Sequence, residues 1–515
     1  MKNWIKRIIC LCLVLALCTG FTGCRKTGSG DGSLSDLSSE DALLGNVELD
    51  DNSSEEGAES DITSDSSTDN NQTGNNNQTV NNNQTGSNNQ TGSNNQTGNN
   101  NQTGNNDSGV TNADVKLPVR DMKGRTFIFA APSWSDTVNV DADWVKELEK
   151  KYNCKFKNLN LNNDYTTLNS SILAGNPIAD VVVYNYTNFY PSVKENLLLE
   201  LKSSENINYQ DSSCFIPKLQ EKCTTVDGKL YGAIDTYAFR NLLVYNRSII
   251  TGDDDLLTLS NKGQLTWDKL YEILGKVKAS GKQGIAGEMN EEGILQAFIL
   301  ANGSTWYKRD NLVFTYCLDN QNTRDALSFV QKLKAASLTM PLDGGNYLYG
   351  QTQFAKGRVG MMIVDGYNLD YIAKNAKFDY GVVMLPNKDG SKGLVDLTEF
   401  ECYSIPRTVN NPDDVQLIFA AWKQAEEANN EGKNWSLENK TDDLDSNDAA
   451  VIKEYAKRLE AADGILDYRN VLVDYYGDDI NTQEKKCLYG EITVQAYLER
   501  VGKIYKKSAN DFNLD

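Results

Sequence analysis

The strongest limit on the fold of this 515-residue chain is a polar tract in its first quarter. From Arg25 to about Val115 the residues are mostly Gly, Ser, Asn, Gln, Thr and Asp, and an Asn-Gln-Thr step recurs every six residues from Thr73 to Thr103. This composition offers too little apolar surface to offset the entropy of folding, and the unit is too short and polar for a globular repeat. We therefore expect a disordered tether, with the folded part beginning near Leu117. The triplets also match glycosylation sequons, the alternative to a plain solvated spacer.

The first 24 residues have the layout of a secretory signal. A basic start precedes an apolar run from Ile8 to Leu17, which is too short to span a membrane. Small residues then lead to Cys24, and this ending resembles the bacterial lipoprotein cleavage site. The resemblance implies that Cys24 becomes the lipid-modified first residue of the mature protein, carrying palmitate. A plain signal peptide with an incidental cysteine is the alternative.

Composition argues against several classes of function. Asp and Glu number 71 against 51 Lys and Arg, and this acidic excess disfavours nucleic acid as a partner. The chain has no histidine, which excludes Ser-His-Asp and Cys-His catalytic pairs and every histidine-containing zinc signature. We expect no cofactor. Glycoside hydrolysis by two carboxylates stays open, because it needs no histidine.

Beyond the tract, apolar patterns of strand and helix type alternate to the end of the chain, which predicts an α/β fold. Predicted strands are Thr126–Ala130, Cys154–Phe156, Asp180–Tyr184, Leu230–Ile234 and Leu242–Tyr245. Predicted helices cover Trp144–Tyr152, Tyr165–Leu173, the stretch after the expected N-cap Thr266, Ala326–Leu333 and Ala449–Ala462. The Asp227-Gly228 pair predicts a tight turn. In an open α/β sheet, ligands bind outside the carboxyl ends of the strands, so the loops at 132–136 and 185–188 should face one crevice.

Several short motifs, in order along the chain, resemble the extracellular solute-binding proteins of ABC importers, of the carbohydrate-binding, maltose-binding-protein-like family 1. The motifs are Gly228-Lys229-Leu230-Tyr231-Gly232, Tyr245-Asn246, Thr266-Trp267-Asp268, Lys356-Gly357, Val364-Asp365-Gly366-Tyr367 as a ligand loop, Tyr380-Gly381-Val382 and Leu385-Pro386. The resemblance implies a two-lobed, type II periplasmic-binding-protein-like fold with a hinge, first crossed within residues 225–246. One departure is residues 398–401, where members have paired glycines.

The resemblance also implies domain boundaries. A signal peptide occupies 1–23, the lipidated N-terminus and linker 24–115, and the solute-binding domain 116–515. Within that domain, lobe 1 comprises about 116–240 and 403–465, and lobe 2 about 241–402 and 466–515.

Sugar recognition requires flat aromatic faces for the C–H side of the ring and planar polar groups for its hydroxyls. The expected cleft loops supply both. The candidate aromatic platforms are Trp134, Tyr184, Tyr186, Tyr237 and Tyr367, and the candidate hydrogen-bonding residues are Asp136, Asn185, Asp235, Arg240, Asp365 and Glu399. Each of them could instead be a tyrosine at the rim of the core or a solvated loop charge. Tyr468 and Arg469 could also reach the cleft, whereas Trp306 is expected to be structural.

Two further patterns allow more than one interpretation. Residues 443–448 with Glu454 have EF-hand ligand spacing, but Asp448 replaces the glycine of the turn, so an acidic N-cap of the following helix is favoured and no metal is expected. Six cysteines follow Cys24, namely Cys154, Cys214, Cys223, Cys317, Cys402 and Cys487. A secreted location permits disulfides, and buried free thiols are the alternative.

The sequence therefore predicts a monomeric protein, lipid-anchored on the extracellular face of a bacterial cell membrane, that is not an enzyme. It captures a sugar or oligosaccharide by closing its two lobes and delivers it to the permease subunits of an ABC transporter. One rival is a surface carbohydrate hydrolase or lyase that uses, for example, Asp235 and Glu399. Another is a carbohydrate sensor or adhesin that has no permease. Peptides and other polyols also stay open as ligands.

Overall fold

The structure is a computed structural model. It describes residues 111–133, 138–162, 164–237, 240–287, 291–341, 348–393, 395–397, 400–429, 444–461, 464–473 and 478–514. None of the helices in this described part of the chain is long and apolar enough to cross a membrane.

Strands and helices alternate along the described chain. The strands are β1 Arg125–Ala131, β2 Cys154–Asn160, β3 Val181–Asn185, β4 Thr225–Val226, β5 Lys229–Leu230, β6 Leu242–Asn246, β7 Gln283–Ala286, β8 Tyr307–Asp310, β9 Val313–Tyr316, β10 Val359–Val364, β11 Tyr380–Met384, β12 Val395–Leu397, β13 Glu401–Ser404 and β14 Gly464–Leu466. The helices are α1 Asp143–Tyr152, α2 Thr166–Leu173, α3 Tyr186–Lys194, α4 Pro217–Leu219, α5 Leu256–Asn261, α6 Trp267–Ala279, α7 Glu291–Ala301, α8 Gln321–Ala335, α9 Tyr349–Ala355, α10 Gly366–Asn375, α11 Pro412–Ala428, α12 Ser446–Glu460, α13 Arg469–Leu472, α14 Asp478–Leu488 and α15 Val494–Leu514.

The first sheet has the strand order β13-β3-β1-β2. Strand β1 runs parallel to β2 and β3, and β13 pairs antiparallel with β3. Alternate residues of a strand point to opposite faces. On one face Phe129 and Val183 share a core with Trp144 of α1 and Trp422 of α11, where the rings of Phe129 and Trp422 stack with centroids 4.7 Å apart. The opposite face, which includes Tyr184, belongs to a larger core that continues into the rest of the molecule.

The second sheet has the order β11-β6-β10-β7. Strand β6 lies antiparallel between β11 and β10, and β7 runs parallel to β10. Every residue of β6 and β10 is buried, which explains why their sequences are apolar runs rather than alternating patterns. Close packing requires the glycine at position 381, because a Cβ there would lie 2.3 Å from the ring of Tyr245 on β6.

Two hairpins lie beside these sheets. Strands β4 and β5 are joined by Asp227 and Gly228, whose φ angles of 49° and 74° are both in the left-handed region. Two-residue turns of this kind match the twist of the strands, so the predicted tight turn is confirmed. Strands β8 and β9 form the second hairpin, against which α15 packs. There the backbone N–H of Phe314 donates to Oδ1 of Asn513 at 3.0 Å.

The predicted α/β fold is confirmed, but three local expectations differ from the structure. The segments 185–188 and 364–367 are not loops, because α3 begins at Tyr186 directly after β3, and α10 begins at Gly366 with only its cap Asp365 between it and β10. The predicted strand Leu230–Ile234 is much shorter, since β5 ends at Leu230 and only Ala233 pairs further on. The two loop predictions fail because the polar residues after the apolar run cap a helix. The strand prediction fails because the apolar residues after Leu230 make only a single β-bridge, at Ala233.

Helix α12 also lies where the sequence did not place it. The carboxylate of Asp448 on α12 accepts from the backbone N–H of Val382 on β11 at 2.8 Å, and it pairs with Arg247 after β6 at 2.8 Å. The helix therefore packs on the second sheet, whereas the expected boundary put residues up to 465 with the first.

Candidate ligand site at the edges of the two sheets

In each sheet, one strand begins on the side where neighbouring strands have their carboxyl ends, and this side is called here the carboxyl edge of the sheet. In the first sheet, β13 begins at Glu401 opposite Asn185, the last residue of β3, and β1 ends on the same side because it runs parallel to β3. In the second sheet, β6 begins at Leu242 opposite Val364 and Met384, where β10 and β11 end. Ligands in α/β proteins bind outside such carboxyl ends.

The segment between Tyr231 and Asn241 connects these two edges. It leaves the first sheet at Ala233, which exchanges two backbone hydrogen bonds of 2.9 Å with Tyr403 on β13. It then enters the second sheet at Leu242, the first residue of β6. Residues 235–237 therefore follow the carboxyl edge of the first sheet, and residues 240–241 precede that of the second.

Two of the predicted site residues are helix caps. Oδ1 of Asn185 accepts from the backbone N–H of Asn188 at 3.0 Å, and Oδ1 of Asp365 accepts from that of Asn368 at 2.7 Å. Short polar side chains in this position satisfy the first N–H groups of a helix. Asn185 and Asp365 therefore fix the start of α3 and α10 at the two edges.

Tyr186 joins the first edge to the C-terminal part of the chain. Its ring lies 6.2 Å from that of Phe400, just before β13, and its hydroxyl accepts from Nδ2 of Asn470 on α13 at 3.1 Å. Asn470 has no sequence signal that marks it, because its partner is 284 residues away. The neighbouring candidates Tyr468 and Arg469 contact other residues. Tyr468 packs against Tyr190, and Cζ of Arg469 lies 4.9 Å from the ring centroid of Trp306.

Tyr237 and Arg240 contact helix α12. The hydroxyl of Tyr237 lies 3.4 Å from Oε1 of Glu460, and the carbonyl of Arg240 accepts from the hydroxyl of Tyr455. Tyr237 is buried and Arg240 is half-buried. The structure thus brings the crossing segment together with the C-terminal half of α12.

Tyr186 and Tyr237 are 8% and 6% exposed, and two further candidates also have their side chains inside the protein. The ring of Tyr184 is completely buried and stacks on Tyr165, and its hydroxyl donates to Asn169 at 3.0 Å. Burial raises the pKa of Tyr184 above its ordinary value. The carboxylate of Asp235 accepts from Nζ of Lys423 on α11 at 2.5 Å. In this conformation neither side chain presents a surface to a ligand.

The other candidates differ in exposure or lie outside the described residues. Tyr367, in the first turn of α10, is 57% exposed. Cys24, Trp134, Asp136 and Glu399 lie outside the described part of the chain, as does the expected tether up to residue 110.

The structure decides between the alternatives for the acidic stretch near residue 445. Asp445 caps α12, accepting from the backbone N–H groups of Asn447 and Asp448. The N-cap interpretation is confirmed. Among the described residues, no group of three or more acidic or cysteine side chains could hold a metal ion.

The six cysteines after Cys24 are free thiols, and five of them are buried. Burial raises the pKa of Cys154 and Cys317 to about 11 and that of Cys214, Cys223 and Cys487 to about 12. Trp306 is buried as expected for a structural residue.

Comparison with known families agrees with this geometry. Residues 143–436, more than half of the chain, match the family model described as bacterial extracellular solute-binding protein. A search of curated proteins found no match. Members of this family capture solutes for ABC transport and are not enzymes, which confirms the expectation that this protein is not an enzyme and removes the hydrolase alternative. The chain belongs to the bacterial extracellular solute-binding proteins.

Proposed function

We propose that this protein binds a sugar or oligosaccharide between the edges of its two sheets, while held at the membrane by a lipid on Cys24, and delivers it to an ABC permease. The observation that carries the proposal is the placement of the described residues 235–237 and 240–241 of the crossing segment, which include Tyr237, between the first sheet and the start of β6. Together with Tyr186, it offers aromatic rings next to amide and carboxylate groups, the combination that sugars require.

The proposed contact residues follow from their positions. Tyr186, Tyr237, Arg240 and Tyr367 lie on segments at the two edges, and Asn470 is added because it bonds Tyr186. Trp134, Asp136 and Glu399 complete the set from the sequence. Asn185 and Asp365 act by holding the helix starts in place, while Tyr184 and Asp235 support the site from inside.

Lobe 1 in this proposal is built on the first sheet and lobe 2 on the second, with α12 assigned to lobe 2. Ligand contacts from both sides favour the closed arrangement, because only that state gains the full binding free energy. The tether from residue 25 to about 115 would have a span on the order of 50 Å as a random coil, enough to hold the lobes clear of the membrane.

A thermal-shift screen of the mature chain against monosaccharides and oligosaccharides tests the ligand class. A ligand at about 100 times its Kd adds about 2.7 kcal/mol to the stability of the native state, so the melting temperature should rise. The variants Tyr186→Phe and Tyr237→Phe keep the ring and lose one hydroxyl, and should reduce the shift. Tyr489→Phe is the matched control, since Tyr489 is an exposed ring beside Lys334 after α14. The sugar assignment fails if a peptide or polyamine raises the melting temperature and no carbohydrate does.

The anchor is tested separately by fractionating cells that produce the wild type or Cys24→Ser. The wild type should be found in the membrane fraction and take up labelled palmitate, and the variant should do neither. A wild-type protein that is released into the medium without label would contradict the lipid anchor and leave the sugar site untouched.

A further inference from the structure

The buried ion cluster around Lys423 has a geometry suited to a covalent reaction. Nζ of Lys423 lies 2.5 Å from Oδ2 of Asp235 and also donates to the carboxylate of Glu426, one turn later on α11. Only 4% of the Lys423 side chain is exposed, and 8% of each carboxylate side chain. An amine and two carboxyl groups are therefore held in contact and away from water.

The surroundings of the cluster are aromatic. Nζ of Lys423 lies 5.2 Å from the ring centroid of Tyr403 and 5.9 Å from that of Phe215. One cation and two anions leave a net negative charge in a site of low polarity, where charged forms are costly. Burial raises the pKa of Glu426, although Lys423 opposes this, so Glu426 accepts a proton more readily than an exposed carboxylate.

From this geometry we propose that Lys423 and Asp235 form an intramolecular amide bond, with Glu426 as the proton carrier. Although burial opposes this, the two carboxylates raise the pKa of Lys423 and favour its ammonium form, so the reaction starts from the minor state in which one ammonium proton has moved to the Asp235 carboxylate. The free amine then attacks Cγ of Asp235. Glu426 takes a second proton from Nζ and passes it to the departing hydroxyl.

The step balances without any other reagent. One C–N bond forms, one C–O bond breaks, one water leaves, and Glu426 returns to its starting state. Nothing is oxidised or reduced. Each of the two carboxyl groups has its own part: Asp235 comes from the crossing segment and is the electrophile, whereas Glu426 lies on the same helix as the amine and carries the proton.

The bond would tie the start of the crossing segment to α11, and so to the first sheet. It closes a loop of 188 residues, and a cross-link over a long loop lowers the entropy of the unfolded chain. The six described cysteines are free, so disulfides do not supply such a link among them. This inference does not depend on the ligand.

Mass spectrometry of the mature wild-type chain tests the proposal directly. The intact mass should be lower by one water molecule than the mass calculated for the mature sequence together with any lipid on Cys24. Trypsin should release a branched peptide in which residues 230–240 are joined to residues 408–433, because a linked Lys423 is no longer a cleavage site. Lys388 and Asp325 are the internal control, an ion pair of 2.8 Å that is exposed on the lysine side and should yield separate peptides.

Two variants identify the roles. Asp235→Ala should abolish the branched peptide, and Glu426→Gln, which keeps both reacting groups, should slow its formation about 100-fold or more, the usual effect of losing a general acid–base group. Circular dichroism of each variant confirms that it folds. The proposal is overturned if residues 230–240 and 408–433 are recovered only as separate, unmodified peptides. It is also overturned if the lost water maps within residues 408–433 alone, which would mean a Lys423–Glu426 link.

Discussion

Replacing Arg309 by methionine should destabilise this protein by about 2–4 kcal/mol, because its guanidinium links β8 to several distant segments of the chain. Arg309 lies on β8, with Cζ 5.1 Å from the ring centroid of Tyr190 and 5.9 Å from that of Tyr468. It donates to the carbonyl of Lys222, to that of Asn311 at 2.6 Å, and to the hydroxyl of Tyr468 at 3.3 Å. Tyr190 lies on α3, which follows strand β3, so the contact joins the β8–β9 hairpin to a helix of the first sheet.

The magnitude follows from what methionine keeps and loses. A hydrogen bond from a charged donor contributes about 1.5–3 kcal/mol, and a cation over an aromatic ring about 0.5–2 kcal/mol. Methionine retains most of the apolar contact of the arginine stem with the two tyrosine rings. Methionine also avoids the desolvation cost of a half-buried guanidinium, which offsets several kcal/mol of the lost hydrogen-bond and cation–π energy. The net destabilisation is the value stated above.

Urea denaturation of the mature wild type and Arg309→Met, followed by tryptophan fluorescence, measures the effect as a shift of the midpoint at constant slope. Arg500→Met is the matched control. Arg500 is exposed and makes one hydrogen bond of 2.7 Å to Gln483, so its loss should cost less than about 0.5 kcal/mol. If the two variants have the same stability, the guanidinium between the tyrosines contributes nothing net and the reasoning fails.

Three further changes test the cores and one buried carboxylate. Trp422→Ala should cost about 3–5 kcal/mol in urea unfolding, since it removes the ring that stacks on Phe129; equal stability would contradict the packing of the first sheet. Gly381→Ala should cost about 1–3 kcal/mol, because the new Cβ overlaps the ring of Tyr245, and an unchanged midpoint would refute that clash. Burial raises the pKa of Asp448 to about 6 from an ordinary value of 3.8. The protonated carboxyl group therefore stabilises the folded state fully below pH 3.8, and this contribution is lost as the pH rises through 6. The unfolding free energy of the wild type should therefore fall by about 1 kcal/mol more than that of Asp448→Asn between about pH 5 and pH 7, and parallel pH curves would contradict the shift.

Most of the secondary structure could be predicted because its signals are local. The periodicity of Trp144, Val145, Leu148 and Tyr152 defines one face of α1, and Thr266 caps α6 through the backbone N–H of Lys269 as expected. The apolar runs of the buried strands could be recognised in the same way. Such signals fail at strand ends, where a residue such as Asn185 is equally suited to a loop and to a helix cap.

The site could be predicted only in outline, because its composition depends on contacts between distant residues. Asp235 was a reasonable ligand candidate, being a carboxylate between two strands, but Lys423 neutralises it from 188 residues further along. Asn470 reaches Tyr186 in a comparable way. Side-chain partners of this kind leave no spacing pattern, so only the folded chain identifies them.

The reactivity of the free thiols described above can be used to measure local opening of this protein. Thiols react as thiolates, and groups whose pKa is raised to about 11 or 12 are almost entirely protonated at neutral pH and shielded as well. Each therefore becomes reactive only when its surroundings open. Cys154 lies on β2 of the first sheet, Cys223 lies just before β4, and Cys487 lies on α14. The rates at which an alkylating reagent modifies them, read peptide by peptide, would map the order in which the parts of the fold come apart.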